Sequence, residues 1–245
     1  RRMGMKEFRF RYGDGEVMIP LDERQVLGEL HGNHVPAAAS IPDTLRAALE
    51  NPIDLPPLKQ WPRPGEQVAL VVSDMSRFWM RQDKVIPPLV DYLRDECGVP
   101  EDHVTIIVAN GTHDGGDEKE LRTLVTDGVY DRVRVVNHDC LAKDLVYLGT
   151  TAHDTPVWIN AEAAHADRVI CLGACTHHVM AGFGGGRKSI LPGISGMETI
   201  CHNHAYSLDP ACLMSNPRIG NGKVKDNPLN DDMCEAAAMV PQLYM

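Results

Sequence analysis

The chain has 245 residues, enough for one large domain or two small ones, and hydrophobic (43%) and charged (24%) fractions ordinary for a globular protein. Its 24 Lys+Arg against 34 Asp+Glu leave a net charge of -10, which argues against a nucleic-acid backbone or an anionic membrane as main partner. No apolar run approaches the roughly 18 residues of a membrane span, no apolar core follows Arg1-Arg2-Met3-Gly4-Met5, and the seven cysteines are scattered, so a reduced, cytoplasmic protein is expected.

Phe8 to Leu21 alternates around Tyr12-Gly13-Asp14-Gly15 and predicts a β-hairpin. Residues 31–66 are Pro-rich, with one short helix expected around Thr44–Glu50. Gln67–Ser73 (QVALVVS) reads as a buried strand. Val85, Ile86, Leu89, Val90, Leu93 and Cys97 then recur at helical spacing, and Gly98 stands where a helix would stop. Val104–Ala109 predicts a second buried strand, Asp117–Thr126 a short helix and Val133–Val136 a third strand. A helix near 156–166 and a fourth strand at Arg168–Leu172 complete the series. Ser195 and Glu198 have capping-box spacing, so a helix should begin near Gly196. Apolar strands alternating with helices predict an α/β fold: a Rossmann-like, mostly parallel sheet with helices on both faces, plus the N-terminal hairpin. The hairpin is assigned to residues 1–22 and the α/β core to 67–208. The apolar ending Val240–Met245 suggests the front part of something longer.

In open α/β sheets, ligands bind beyond the carboxyl ends of the strands. There this sequence places Asp74, Ser76 and Arg77; Asn110-Gly111-Thr112-His113; Asn137-His138-Asp139; and Cys175-Thr176-His177-His178 followed by Gly182-Phe183-Gly184-Gly185-Gly186-Arg187-Lys188-Ser189. Any one tip reads as a solvated turn; the four together predict a shared pocket. The glycine run lets the backbone approach a ligand closely and suits phosphate, but it matches neither Walker A nor G-x-G-x-x-G spacing. Lys188 reads as a phosphate clamp or as a nucleophile whose pKa Arg187 would lower. On the helix after Gly196, Met197, Ile200, Cys201, His204 and Leu208 share a face, which turns His204 inward and His202 outward. No CxxC pair and no G-x-S-x-G elbow occurs. His31, His34, His103, His153 and His165 read as surface or structural, and Trp61, Trp79 and Trp158 as packing residues.

Thr176–His204 (THHVMAGFGGGRKSILPGISGMETICHNH) resembles the lactate racemase family, with its His, A-G-F-S-G-G-R-K-S-x-L-P-G-I and a following N-H. Asn110-Gly111-Thr112-His113 is similar to the family's A-N-G-T-H, and Asp74-Met75-Ser76-Arg77 to its D-H-T-R. Gly184 replaces the family's usual Ser, and Met75 and Phe78 stand where His and Pro are common. The resemblance covers nearly the whole chain.

The resemblance implies a racemase or epimerase of a small 2-hydroxy acid. It implies a nickel-pincer nucleotide, of the Ni(II) pyridinium-3,5-bisthiocarboxylic acid mononucleotide type, covalently bound to Lys188 and made by cofactor-synthesis enzymes. His204 would ligate nickel, His113 and His178 would be the paired acid/bases, and Asp74 and Arg77 would line the substrate pocket. Gly184, Gly185, Gly186 and Arg187 would lie against the nucleotide. The family's C-terminal domain would be absent from this chain. Hydride removal and return is the plausible chemistry, because a carboxylate acidifies its α C–H poorly; a base on each side of the substrate then calls for two histidines of near-neutral pKa. The alternative is a non-catalytic nucleotide- or phosphate-binding protein that retains the glycine loop.

Overall fold

The structure is a computed structural model and describes residues 4–211, 214–240 and 243–245. It divides into two units, one ending at Ala39 and one running from Ser40 to Met245. In the first, β1 (Met5–Tyr12) and β2 (Gly15–Asp22) pair antiparallel from Met5↔Asp22 to Tyr12↔Gly15. The two-residue turn needs a left-handed residue, and Gly13 supplies it at φ 56°.

The second unit opens with α1 (Ile41–Glu50), capped by Ser40 Oγ accepting from the Asp43 N–H. It continues through β3 (Val68–Ser73), α2 (Ile86–Asp95), β4 (Val104–Ala109), α3 (Glu118–Val125), α4 (Asp127–Tyr130) and β5 (Arg134–Asn137). Gly98 at φ 69° follows α2, and Asp117 and Glu120 form a capping box at the start of α3. Next come β6 (Val146–Thr150), β7 (Pro156–Ile159), α5 (Ala161–His165) and β8 (Arg168–Cys171). The last part holds β9 (His177–His178), β10 (Gly182–Phe183), α6 (Met197–Ala205), β11 (Leu208–Asp209), β12 (Met214–Ser215), α7 (Pro228–Ala238) and β13 (Leu243–Tyr244).

One parallel sheet organises this unit, in the order β13-β8-β3-β4-β5. The chain starts in the middle at β3, steps outward through β4 and β5, then returns to the other side with β8 and β13. The carboxyl ends of β3 and its neighbours therefore flank a point where strand order reverses, the usual crevice for a ligand. Both faces of the sheet are covered. Val68, Leu70, Val72, Val104, Ile106 and Val108 pack with residues of α2 and α3. Ala69, Val71, Ile107, Val169 and Cys171 pack with Ile190, Leu191, Ile194, Ile200, Leu229 and Met233. Two-sided burial explains why these strands read as unbroken apolar runs.

Three expectations need correction. The stretch 156–166 is not one helix: Pro156–Ile159 is a strand paired antiparallel to β6, and only Ala161–His165 is helical. Val157 and Ile159 are buried at period two, and Asn160 caps α5 by accepting from the Glu162 N–H. The capping box expected at α6 does not form. Ser195 is fully buried, its hydroxyl donates to the Ile190 carbonyl, and Gly196 takes the cap position. On α6 the buried face is Thr199, Ile200 and Asn203, whereas Cys201 is exposed and Leu208 lies beyond the helix. Near the end of the chain Val240 and Tyr244 are buried and Leu243–Tyr244 is an edge strand. Arg1–Met3, Pro241 and Gln242 lie outside the described residues. Among the described residues no helix is long and apolar enough to cross a membrane.

Candidate functional site

The cavity at the strand reversal is built from three loops and one helix. After β3, Asp74 is buried and accepts from Ser76 Oγ at 2.6 Å. After β4, the segment Asn110–Asp114 closes on itself: the His113 N–H donates to the Asn110 carbonyl, and Asn110 Nδ2 donates to the Asp114 carbonyl. Gly111, at φ 57°, donates its N–H to the Gly193 carbonyl and ties this loop to the segment before α6. The loop carries His113 to Asp74, with Nδ1 2.5 Å from Oδ2. A carboxylate only accepts, so His113 carries a proton on Nδ1, and in the neutral ring Nε2 keeps its lone pair.

After β8, the small hairpin of β9 and β10 holds His178. Its Nδ1 accepts from the N–H groups of both Met180 and Ala181, each at 3.1 Å. The neutral His178 ring must therefore carry its proton on Nε2. The chain turns into the glycine loop, where the Gly184 N–H donates to the Thr176 carbonyl at 2.7 Å. Gly185 has φ 78°, and a Cβ there would stand 2.9 Å from the Ala174 carbonyl oxygen. This close approach seats a single helical turn, Gly186–Ser189, that carries Lys188. The β6–β7 hairpin positions α6: Ile159 bridges to Ser195, and the Gly196 N–H donates to the Trp158 carbonyl. On α6, His204 Nδ1 donates to the Ile200 carbonyl at 3.1 Å, leaving Nε2 unprotonated in the neutral ring. Buried Asp232 ties α6 to α7 by accepting from Thr151, Thr155 and Asn203.

The cavity measures about 300 Å³. Asp74, Arg77, His113, His178, Lys188 and His204 all line it, with Gly184 and Gly185. Gly186 and Arg187 face a neighbouring hollow instead, with Cys175, Cys234 and Met245. The Arg187 guanidinium is engaged within the chain, donating to Asn230 Oδ1 at 2.6 Å and to the carbonyls of Ala181 and Phe183. Arg187 therefore staples the glycine loop to α7. Within the glycine loop, the Gly184 N–H is already used by the Thr176 carbonyl.

Burial dominates the electrostatics. It pushes the Lys188 amine down to about 8, with Arg187 and Arg77 adding like-charge repulsion. The sequence expectation gave Arg187 that role, but desolvation is the larger cause. Burial, then Lys188, Arg77, His204 and Arg187, pushes His178 down to about 4, far from the near-neutral value expected of an acid/base. Burial and Lys188 also lower His204, while its bond to the Ile200 carbonyl pulls upward.

The third expected tip does not join the cavity. His138 is buried, its Nε2 donates to the Ser195 carbonyl at 2.9 Å, and Nδ1 faces Asn160. Its strand, β5, is the sheet edge farthest from the reversal, and sequence does not give sheet order. Trp79 was misread as a packing residue. It is 59% exposed and lines the cavity with Met80. Its place two residues beyond Arg77, on a strand-tip turn, was the available signal.

Strand order and cavity together define a doubly wound α/β domain that presents a lysine and three histidines beyond its central strands. The family model described as "Lactate racemase N-terminal domain" matches residues 12–214, and the chain belongs to that family. It is 28% identical over 229 residues to the lactate racemase of Thermoanaerobacterium thermosaccharolyticum, covering 92% of this chain and 52% of that protein. It is 29% identical over 233 residues to the lactate racemase of Lactiplantibacillus plantarum, covering 90% and 53%. The structure of the T. thermosaccharolyticum lactate racemase apoprotein superimposes with a TM-score of 0.82 at 28% identity, covering 97% of this chain and 54% of that one. A crystal structure of a Thermotoga maritima protein shares the fold, with a TM-score of 0.62 at 22% identity over 82% of this chain and 47% of that one. The chain spans about half the length of the curated relatives it matches.

Proposed function

We propose that this chain is the cofactor-binding, catalytic portion of a 2-hydroxyacid racemase or epimerase. In this reading Lys188 tethers a nickel-pincer nucleotide, His204 is its protein ligand to nickel, and His113 and His178 handle protons. One observation carries the reading most directly: Lys188, its pKa lowered to about 8, shares one cavity with neutral His204, with His178 and with the Asp74–His113 pair. An amine must lose its proton to form a covalent bond, and this environment favours that loss.

Among the described residues no group of three or more His, Cys, Asp or Glu is placed to hold a metal ion. A nickel centre here would therefore take its remaining ligands from the cofactor, with His204 as the protein donor. The free Nε2 of His204 supplies one nitrogen, suited to square-planar Ni(II). Once bound, the cofactor supplies a hydride acceptor.

The chain's own residues then divide the remaining work. Arg77 donates to Ser76 Oγ at 3.0 Å and, among the described residues, has no acidic partner, so it can receive the substrate carboxylate. His113 Nε2 accepts the hydroxyl proton, and Asp74 holds the ring in that tautomer and stabilises its charge. His178 stands in the complementary tautomer, with its proton on Nε2 hydrogen-bonded to the substrate oxygen; to pass that proton on, the ring must take another on Nδ1 and act as the imidazolium. The opposite sense of reaction requires His178 to release the Met180 and Ala181 N–H groups and take a proton on Nδ1.

The test is chiral analysis of 2-hydroxy acids turned over by full-length, cofactor-loaded protein. His113→Ala and His178→Ala should each lower racemisation by about 100-fold or more while retaining the cofactor. Unchanged rates in either variant would remove that histidine from the mechanism.

A further inference from the structure

The turn Met75–Met80 leaves β3 with four apolar side chains, and they divide between two tasks. Met75 and Phe78 pack against the core. Trp79 and Met80 line the cavity beside Arg77, His178 and Lys188. Trp79 is 59% exposed, and among the described residues its indole makes no ring contact and no hydrogen bond. An aromatic side chain can bury about 150–250 Å² of surface, so this ring holds apolar contact area in reserve at the cavity mouth. A substrate methyl group covers little of it. A planar ring stacked on the indole covers much more and adds about 0.5–1.5 kcal/mol beyond area burial. Arg77, two residues earlier on the same turn, fixes the other end of such a molecule through its carboxylate.

We infer that the substrate is a 2-hydroxy acid with an aromatic side chain, its ring on Trp79 and Met80 and its carboxylate on Arg77. This rests on the racemase reading and makes Trp79 a specificity-determining residue.

Two readouts test it, with 3-phenyl-2-hydroxypropanoate and lactate as probes. Titration calorimetry of the 245-residue chain should give at least about tenfold tighter binding of the aryl acid. Trp79→Ala should abolish that preference and Trp79→Phe should retain it. In full-length, cofactor-loaded protein, the aryl-to-lactate ratio of kcat/KM should fall at least about tenfold in Trp79→Ala and hold in Trp79→Phe. No difference between the two acids in binding, or a ratio that Trp79→Ala leaves unmoved, overturns the inference. The latter result would assign Trp79 to contact with the rest of the protein. Racemisation of lactate without an aryl preference would sink the inference and leave the racemase reading standing. An aryl preference in binding without racemisation of either acid by loaded protein would overturn the racemase reading and the substrate assignment with it, leaving Trp79 only as an aryl-binding residue.

Discussion

Lys188 is held where its charge is least welcome. Its folded pKa, about 8, lies below the unfolded value of about 10.4. The unfolded state therefore binds more protons between these values, and this group's contribution to stability rises as pH climbs through that window. At neutral pH the buried ammonium costs about 3 kcal/mol. Lys188→Met keeps an apolar stem and removes the charge. Without bound cofactor, the variant should melt at higher temperature at pH 7, and its advantage should shrink between pH 8 and 10.4. An unchanged or lower melting temperature would show that the amine is not desolvated. The same residue was legible in the sequence, because a glycine run followed by Arg187-Lys188 is a specific pattern. His138 was not distinguishable from His113 or His178 there. All three follow apolar strands, and only strand order separates the edge from the reversal point. The tautomers were equally hidden, since each depends on a backbone or carboxylate partner distant in sequence or set by a turn.

The elements differ in how openly they declared themselves. β3, β4 and β8 are covered on both faces, so their apolar runs identify them without periodicity. The β6–β7 hairpin is only half buried, and its Ala-rich sequel read as helix from the start. Ser195 had the right spacing for a cap but is drawn into the core by the Ile190 carbonyl. The glycine loop is the element on which the proposed cofactor site depends most. Gly185→Ala would force a side chain into a left-handed position, 2.9 Å from the Ala174 carbonyl oxygen. It should lower stability by about 2 kcal/mol or more in chemical denaturation. It should also reduce cofactor attachment, because the turn bearing Lys188 starts at the next residue. Wild-type stability with full attachment would show that the loop has slack the geometry does not suggest.

At the scale of the molecule, a parallel sheet reverses its strand order at β3, and loops from both sides of that reversal meet in one cavity. Sequence could indicate the parallel sheet and most of the residues that gather there. It could not indicate that Gly186 and Arg187 face a different hollow, because that depends on how α7 packs behind the loop. The proposed tether is Lys188. Intact-protein mass spectrometry on full-length protein, produced together with cofactor-synthesis enzymes, tests it most directly. The expected result is one nickel-containing adduct on Lys188 that disappears in Lys188→Ala; an unmodified Lys188 in protein made under those conditions would rule the tether out.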